Sequence, residues 1–579
     1  MTSPETLFDL EDTVPKKSSR KASKKASRNA KATATKRKPK RREAAEARDI
    51  SVAEFFEKNR HMLGFDSPTK AILMSVKEAV DNSLDACEEA DILPELWVEI
   101  DPVKGKVYRM AVEDNGPGIA DTQIGKIFGK LLYGSKFHKL SQSRGQQGIG
   151  ISAAGMYGKL TTGKPVVIRS KRKRHDAVEY ILTIDTARNK PEIHSSESIK
   201  WPKKTHGTRV EIEMEATYKK GMRSVDMYLK QTAIANPHLT LHYRSPVGEE
   251  VTYERNTRVK PEETVEIKPH PHGVELGRLI AMLGNTNCRS LSGFLQEEFC
   301  RVGSTVAKRI IKSAGSNLTE KSYPSRIARE EASALYEAIA ETKISSPPSD
   351  CIAPIGEDLL LKGLKKELEA DFYATVTRPP AVYRGNPFQI EVGLAYGKPG
   401  GVGLEMTDEG RIRKKAKVDV TEDLVGAADE PIRVLRFANR VPLLYQQSAC
   451  AITKGVIQTN WRSYGLQQPR GALPVGPMVL LLHIASVWVP FTSESKEAIA
   501  SYEEILKEIK LGLRECGRKL GTHVRKGKRL KREFEKRSYI EKYIPHVGLA
   551  LQEILDLSDR KRDETTSTLE DVLHKSRKF

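Results

Sequence analysis

Two polar side chains on one predicted helix could catalyse the hydrolysis of a phosphate bond. In the segment KEAVDNSLDA, Glu78 and Asn82 are four residues apart, so both would lie on the same face of a helix. A carboxylate can accept a proton from a water molecule that attacks a γ-phosphate, and a carboxamide oxygen can hold Mg²⁺, directly or through waters. Taken alone, such a pair is more often the solvated face of an ordinary helix.

Another carboxylate stands at the end of a predicted strand. Asp114 closes the segment RMAVED and is followed by NGPG at positions 115–118. Glycine has no Cβ, so this turn lets the backbone approach a flat ligand closely, and the carboxylate can accept a hydrogen bond from an amino group on the edge of a ring. An ordinary Asn-Gly hairpin turn is the alternative interpretation.

The segment SRGQQGIGISAAGMYG joins a glycine-rich stretch to the start of an Ala-rich helix. Its spacing is Gly145-x-x-Gly148-x-Gly150. Backbone N–H groups of such a stretch, at a helix N-terminus, can bind phosphate oxygens. The segment is not a Walker motif, because no G-K-[ST] follows, and the preceding strand and spacing do not fit the dinucleotide-binding fingerprint. A flexible glycine loop is the alternative.

The three segments follow one another within about 75 residues, and their combination indicates more than any one of them. This order resembles the Bergerat-fold ATPases, which include gyrase, heat-shock-90 chaperones, MutL and sensor histidine kinases. A further motif of that family is similar to His206-Gly207-Thr208, ahead of the strand RVEIEM. The resemblance implies a hydrogen bond from Thr208 on the adenine side of the pocket, whereas a simple strand-leading turn is the alternative.

Additional blocks, in the same order along the chain, resemble the B subunit of type IIB DNA topoisomerases (topoisomerase VI). The resemblance covers roughly residues 50 to 520. The blocks are LLYGSKFH, IKPHPHGVE, LSGFLQEEFCRVGSTVAKRIIKSAG, PSDCIAPIGED, FANRVPLLY, NWRSYGL and VPFTSESKEAIA.

The resemblance implies ATP and Mg²⁺ as ligands and roles for individual positions. Glu78 would be the general base and Asn82 the Mg²⁺ ligand. Asp114 would bind the adenine amine, with Gly118 lining the turn. The residues implied to surround the phosphates are Ser135, Lys136, Gly145, Gln146, Gln147, Gly148, Ile149, Gly150, Ile151 and Ser152.

Lys496 is implied to be a switch lysine that reaches from a second domain to the γ-phosphate. A point charge there would stabilise negative charge as the bond breaks and would report the nucleotide state. Without the resemblance, Lys496 would be interpreted as a solvated lysine at a helix start.

The chain departs from the family pattern at two positions. The family usually has glycine where this chain has Ser495, and a serine there would stiffen the loop. The family's W-K-x-Y motif, implicated in DNA sensing, appears here as Trp461-Arg462-Ser463-Tyr464. Arginine in place of lysine keeps the charge but changes the donor geometry.

These segments predict an α+β fold. We expect a Bergerat-fold ATPase domain with helices on a mixed sheet, a helix–two-turns–helix module, and a second α/β transducer domain with a long C-terminal helix, from about Ser495 to Leu520. Residues 398–430, rich in glycine and charge, are predicted to be a surface insertion. The predicted boundaries are a disordered basic tail at 1–48, the ATPase domain at 49–265, the helical module at 266–345, the transducer (ribosomal protein S5-like) at 346–522 and a basic C-terminal tail at 523–579.

The charge of the chain favours a polyanionic partner. The net charge is +21, and 14 of those charges come from 16–42, which contains 14 Lys/Arg and no Asp/Glu. Such a tail cannot bury enough surface to fold alone, and it would attract nucleic acid; a solubilising tail or a nuclear-import signal is the alternative. No apolar run approaches the ~18 residues of a membrane span, and the six cysteines form no C-x-x-C pair.

The function implied is the ATP-binding and ATP-hydrolysing B subunit of a type IIB topoisomerase, an ATP-gated clamp that relaxes and decatenates DNA. The implied partners are double-stranded DNA, a second copy through the ATPase domain, and a separate A subunit that cleaves DNA, in a heterotetramer of two A and two B. We expect a cytoplasmic, nucleoid-associated protein without a membrane partner, or a nuclear one if the source is eukaryotic.

Three other interpretations compete with this one. An ATP-driven protein clamp or chaperone would share the pocket but need no DNA, and the basic segments and the helical module disfavour it. A sensor histidine kinase would need a phospho-acceptor histidine ahead of the ATPase motifs, where His61 is the only histidine. A scaffold with an inactive pocket is disfavoured because Glu78, Asn82 and Lys496 are all present.

Overall fold

The structure is a computed structural model. It describes residues 50–134, 136, 139–145, 148–202, 204–315, 318–397, 404–406, 412–414, 429–493 and 495–576. The predicted tail at 1–48, most of the predicted insertion at 398–430, and Ser135, Gln146 and Gln147 therefore lie outside the described residues.

The first part of the described chain, up to Tyr253, contains an eight-stranded mixed sheet. Its strand order is β5-β4-β3-β6-β2-β1-β7-β8. Neighbouring strands are antiparallel except β1 and β7, which pair in parallel. The strands are β1 (Glu95–Lys104), β2 (Val107–Asp114), β3 (Val166–Lys171), β4 (Ala177–Asp185), β5 (Lys190–Ile199), β6 (Gly207–Glu215), β7 (Thr240–Arg244) and β8 (Glu250–Tyr253).

Helices cover this sheet and share one hydrophobic core with it. They are α1 (Val52–Lys58), α2 (Pro68–Glu89), α3 (Asp121–Gly129), α4 (Gly150–Thr162) and α5 (Val225–Ala235). Ser51 caps the start of α1, because its side chain accepts a hydrogen bond from the Glu54 N–H. Pro68 begins α2 in the first turn, where a missing N–H costs nothing. The apolar stripe of α2, with Val76, Val80 and Leu84 fully buried, fixes the direction of its polar face.

The helical module has its own core of apolar side chains. Its helices are α6 (Leu276–Asn285), α7 (Leu291–Glu298), α8 (Ser304–Ser313) and α9 (Arg329–Glu341). Two glycines bound α8: Gly303 is its N-cap, and Gly315 follows its end with φ +62°.

The second mixed sheet has the order β10-β11-β16-β14-β15, with β9 paired to β11. Its strands are β9 (Phe372–Thr377), β10 (Ala381–Tyr383), β11 (Asn386–Tyr396), β14 (Arg433–Ala438), β15 (Val441–Pro442) and β16 (Met478–Ser486); β12 (Leu404–Met406) and β13 (Ile412–Lys414) pair separately. Helices α10 (Glu357–Glu367) and α11 (Ala451–Gln458) accompany this sheet. All nine residues of β16 are buried, as expected for an apolar strand that is covered on both faces.

The long C-terminal helix differs from the prediction at both ends. Helix α12 runs from Glu503 to Leu555, not from Ser495 to Leu520, because Ile499 is in extended backbone and bridges Phe491. The predicted boundary at 522 therefore falls inside a continuous helix, and α13 (Asp559–Ser576) follows it. The basic composition of 523–579 suggested a tail, yet Lys, Arg and Glu are good helix formers and stabilise the helix through pairs such as Lys531–Glu535.

Within the described ranges, no helix is both long and apolar enough to cross a membrane.

Candidate nucleotide site

A cavity of about 680 Å³ opens between α2, the end of β2 and the start of α4. This volume is in the range of small-ligand sites. Part of its wall is apolar and includes Phe65, Met74, Ile119, Phe128 and Val210. The polar side chains that line it are Glu78, Asn82, Ser83, Asp114, Gln123, Lys136, Thr208 and Lys496, among others. The cavity thus combines a surface for a flat ring with a separate charged region.

Asp114 is a buried carboxylate held by three donors. Its Oδ2 accepts from the Ser83 hydroxyl at 2.9 Å, and its Oδ1 accepts from the backbone N–H groups of Gly116 at 2.8 Å and Thr208 at 3.0 Å. Burial raises the pKa of Asp114, and these hydrogen bonds partly offset that effect. Oδ2 keeps acceptor capacity for a ligand donor. Thr208 therefore supports Asp114 through its main chain, while it also lines the cavity.

The turn after Asp114 needs glycine at Gly118. Its φ is +74°, and a Cβ at this position would lie 2.2 Å from the carbonyl oxygen of Lys171 on β3. Any larger residue would push the turn away from the sheet and from the cavity wall that Gly118 forms.

Glu78 projects from α2 toward the first residue of α4. A Cβ on Gly150 would lie 1.8 Å from Glu78 Oε2, so only glycine leaves room for the carboxylate. On its other side, Oε1 of Glu78 is 3.2 Å from Lys77 Nζ. Burial alone would raise the pKa of Glu78, but the Lys77 and Lys496 charges hold it below its usual value. Glu78 is therefore ionised, the form that a general base requires.

Asn82 and Lys136 line the same region. The Asn82 side chain is exposed, and its Oδ1 faces Gly145, whose Cβ would lie 3.4 Å away. The Lys136 Nζ contacts Asp85 Oδ2 at 2.6 Å and Glu89 Oε1 at 2.8 Å. Burial disfavours the Lys136 charge, yet those two carboxylates raise its pKa. Lys136 is thus at the cavity but paired with acids of α2.

We call Gly145 and residues 148–152 the lid. Its C-terminal part is the start of α4, where the N-cap Ile149 provides no side-chain hydrogen bond. The side chains of Ile149 and Ile151 are buried, and the Ser152 hydroxyl donates to the carbonyls of Ile127 and Lys130. These residues therefore offer a ligand their backbone N–H groups, as in other anion sites at helix N-termini. Gly148 and Gly150 also line the cavity.

Arg144, immediately before the lid, was not predicted from the sequence. Its buried guanidinium donates to Asp85 at 2.9 Å, to both carboxylate oxygens of Glu88 at 2.7 and 2.8 Å, and to Asn236 at 2.6 Å. Burial disfavours its charge, but Glu88 and Asp85 raise its pKa. This cluster anchors the lid to α2. No local sequence signal pairs an arginine with acids that are more than fifty positions away.

Lys496 lies in the segment between β16 and α12 and reaches the cavity wall. Its Nζ donates to the carbonyl oxygen of Arg144 at 3.3 Å. Burial lowers its pKa, and the Glu78 charge partly opposes that shift. The residue has φ +51°, and its N–H bonds the Ser493 carbonyl, so a tight turn presents the side chain. The neighbouring Ser495 is buried, with its hydroxyl 2.9 Å from that of Ser493.

The segment proposed to sense DNA forms a short 3-10 helix at 461–464. Trp461 is fully buried and donates from Nε1 to the Val456 carbonyl at 2.9 Å. Its side chain has no exposed surface in this structure, so any role of Trp461 in sensing DNA passes through its neighbours and stays a prediction. Arg462 is exposed and bonds the Gln468 carbonyl, while Tyr464 packs against Gly517 of α12. For Arg462 and Tyr464, DNA contact stays a prediction.

Comparison with known proteins gives consistent results for both halves of the chain. Residues 347–536 match the family model described as topoisomerase VI B subunit, transducer, and residues 69–218 match the one described as histidine kinase-, DNA gyrase B- and HSP90-like ATPase.

Three relatives are named as the B subunit of type 2 DNA topoisomerase 6. The Methanococcoides burtonii protein is 48% identical over 88% of this chain and 77% of its own length. The Methanosarcina barkeri protein is 47% identical over 89% of this chain and 78% of its own. The Archaeoglobus fulgidus protein is 44% identical over 92% of this chain and 83% of its own length.

Proposed function

The chain belongs to the family of topoisomerase VI B subunits, and we propose that ATP hydrolysis in its cavity drives DNA strand passage through an ATP-gated clamp. The observation that carries this proposal is that Glu78 from the first domain and Lys496 from the transducer face one cavity. A nucleotide bound there would be in contact with both domains at once.

ATP fits the two regions of the cavity. We assign the adenine ring to the apolar region, where its amino group would donate to Asp114, which keeps acceptor capacity on Oδ2. The phosphates would lie at the start of α4. There the first N–H groups have no side-chain cap, and the helix dipole favours an anion. Lys136 would reach the phosphates only by leaving Asp85 and Glu89.

We assign Asn82 as the protein ligand of Mg²⁺. Its exposed carboxamide oxygen, on the cavity wall opposite Gly145, is the donor type that suits an ion whose remaining ligands are phosphate oxygens and waters. The ion would supply positive charge beside the phosphate oxygens.

Glu78 would accept the proton of the attacking water. Its lowered pKa keeps it ionised, and the absence of a side chain on Gly150 leaves the carboxylate open toward the lid. Glu78 can thus orient a water at the γ-phosphate without a further proton carrier.

Lys496 would exchange one acceptor for another. In the structure its ammonium binds a neutral carbonyl, that of Arg144, whereas a γ-phosphate offers a charge-assisted bond that is roughly twice as strong. ATP would therefore draw Lys496 and the transducer inward, and loss of phosphate would release them. This is a ligand-driven switch between two domain arrangements.

Dimerisation of two copies on ATP binding would close the clamp around a DNA segment. The A subunit would cleave DNA, and two A and two B chains would form the complex. We assign the docking of the A subunit to the distal part of α12, which exposes Tyr539, Tyr543 and Val547 on one face, four residues apart. Large apolar side chains that share an exposed face are typical of an interaction site.

The measurement that tests the proposed function against an ATP-driven protein clamp is DNA stimulation of ATP hydrolysis. We expect double-stranded DNA to raise turnover at low salt and the effect to fall as salt rises, because phosphate contacts release counterions. If DNA has no effect even at low salt, the chaperone-type alternative is favoured. Single-stranded DNA at equal phosphate concentration is the control.

A further inference from the structure

The tip of one transducer hairpin touches the residues that precede the lid. Strands β14 and β15 pair at Ala438 and Val441, so Asn439 and Arg440 form a two-residue tip. We call Gln142, Ser143 and Arg144 the lid base. The buried side chain of Asn439 donates from Nδ2 to the Ser143 carbonyl oxygen at 3.0 Å.

Asn439 also binds the last residue of β16. The same Nδ2 donates to the Ser486 carbonyl at 2.9 Å, and Oδ1 accepts from the Ser486 N–H at 2.9 Å. Ser486 ends the strand from which the chain continues into the segment with Lys496. One carboxamide therefore bridges the lid base and the start of the Lys496 segment.

The backbone of this tip is held in an unusual conformation. Both tip residues have positive φ, +48° for Asn439 and +67° for Arg440. Two-residue hairpins of this kind favour Asn-Gly, because a side chain at the second position is disfavoured there. Strained positions of this kind persist where the surroundings hold them and often serve function.

The contacts of Arg440 hold the tip in this conformation. Its guanidinium donates to the carbonyls of Ala353 at 3.2 Å and Pro354 at 3.0 Å, and it lies 4.0 Å from Glu88 on α2. Its backbone N–H donates to His483 Nε2 at 2.9 Å. The tip is thus fixed against the segment before α10, against α2 and against β16.

Two consecutive carbonyls of the lid base therefore bind two different transducer side chains. Ser143 accepts from Asn439, and Arg144 accepts from Lys496. The two contacts differ in how easily a phosphate can displace them. A phosphate competes strongly for the Lys496 ammonium group. The Asn439 amide already makes three hydrogen bonds to main-chain atoms and would gain little from a phosphate.

We propose that Asn439 is a positioning residue that fixes the Lys496 segment relative to the lid, so that Lys496 can pass from the Arg144 carbonyl to the terminal phosphate of ATP. This inference rests on the proposed function of Lys496. Asn439 itself does not line the nucleotide cavity. It acts through its hydrogen bonds, which fix the positions of Ser143 and Ser486.

The test is a double-mutant cycle on ATP turnover with Asn439→Gly and Lys496→Ala. Glycine preserves the positive φ of the tip and removes only the carboxamide. We expect Asn439→Gly to lower kcat about 10-fold, since small misplacements of a catalytic group are costly, while affinity for an unhydrolysable ATP analogue changes less than about twofold. In the Lys496→Ala background, Asn439→Gly should lower kcat no further, because its effect passes through Lys496.

Gln446→Gly is the matched control. Gln446 also has positive φ, +49°, but its side chain is exposed, so kcat should stay at the wild-type value. Asn439→Asp is a second variant, for use if Asn439→Gly does not fold. Aspartate also tolerates the left-handed backbone and keeps the acceptor for the Ser486 N–H, but it places a carboxylate against the Ser143 carbonyl. We expect it to lower kcat as Asn439→Gly does.

Three results would overturn the proposal. Wild-type kcat in both Asn439 variants would show that the bridge is not needed. An equal loss of kcat in the wild-type and Lys496→Ala backgrounds would mark a merely structural role. If Lys496→Ala itself hydrolyses ATP at the wild-type rate, the proposed switch fails and the role of Asn439 fails with it. The first two results, obtained beside a slowed Lys496→Ala, overturn only the role of Asn439.

Discussion

The ammonium nitrogen of Lys496 lies 3.3 Å from the main-chain carbonyl oxygen of Arg144, although 352 positions separate the two residues. One belongs to the transducer and the other immediately precedes the lid. The contact makes the transducer part of the wall of the nucleotide cavity, where Lys496 also lowers the pKa of Glu78. Any ligand that changes the position of Lys496 is therefore coupled to the second domain.

Lys496→Ala should bind ATP but hydrolyse it about 100-fold more slowly, the usual cost of removing a group that stabilises transition-state charge. Steady-state turnover and binding of an unhydrolysable analogue separate the two effects. Lys507→Ala removes an exposed lysine of α12 and should hydrolyse ATP at the wild-type rate. Equal turnover in Lys496→Ala and Lys507→Ala would contradict the switch role.

Glu78→Ala should retain ATP binding and lose turnover by about 100-fold or more, because a general base contributes at least that factor. The measurement is phosphate release at saturating ATP. Glu249→Ala, in an exposed ion pair with Lys220, is the matched control. Normal phosphate release by Glu78→Ala would remove the general-base assignment.

Gly150→Ala should lower turnover about as much as Glu78→Ala does, because its methyl group would occupy the space of the Glu78 carboxylate, 1.8 Å from Oε2. The control is Gly277→Ala, an exposed helix position where a Cβ meets nothing within 4 Å. That control should hydrolyse ATP at the wild-type rate, measured in the same assay. An active Gly150→Ala enzyme would show that Glu78 does not need this gap.

The local motifs of the site could be predicted from the sequence, whereas its electrostatic support could not. Glu78, Asn82 and Asp114 lie on the predicted helix and strand, because periodicity and glycine turns are local signals. The Arg144 cluster and the Asn439 bridge depend on contacts between distant segments. Lys77 is the chain neighbour of Glu78, but adjacent residues of a helix do not normally face each other, so spacing did not predict their contact. Lys496 was reached only through the family resemblance, and the helical start predicted for its segment was wrong, because Ile499 pairs with Phe491 instead.

The pH dependence of kcat/KM should be limited by two groups. Glu78 must be ionised, so turnover falls as pH drops through its pKa, which is held below the ordinary value of about 4.3. Lys496 must be protonated, so turnover falls as pH rises through its pKa, which is held below the ordinary value of about 10.4.

Lys496→Arg tests the alkaline limb, because arginine stays charged throughout this range. We expect the limb to move to higher pH in the variant, even if its maximal rate is lower. An alkaline limb that does not move would assign that limb to a group other than Lys496.

Relaxation of negatively supercoiled DNA, by this chain combined with the A subunit of the same source, tests the central claim most directly. Gel electrophoresis should show relaxation with ATP and Mg²⁺. It should show none when ATP or one of the two chains is left out, or when Glu78→Ala replaces the wild-type chain. Relaxation that proceeds without ATP, or that Glu78→Ala supports at the wild-type rate, would contradict an ATP-gated clamp driven from this cavity.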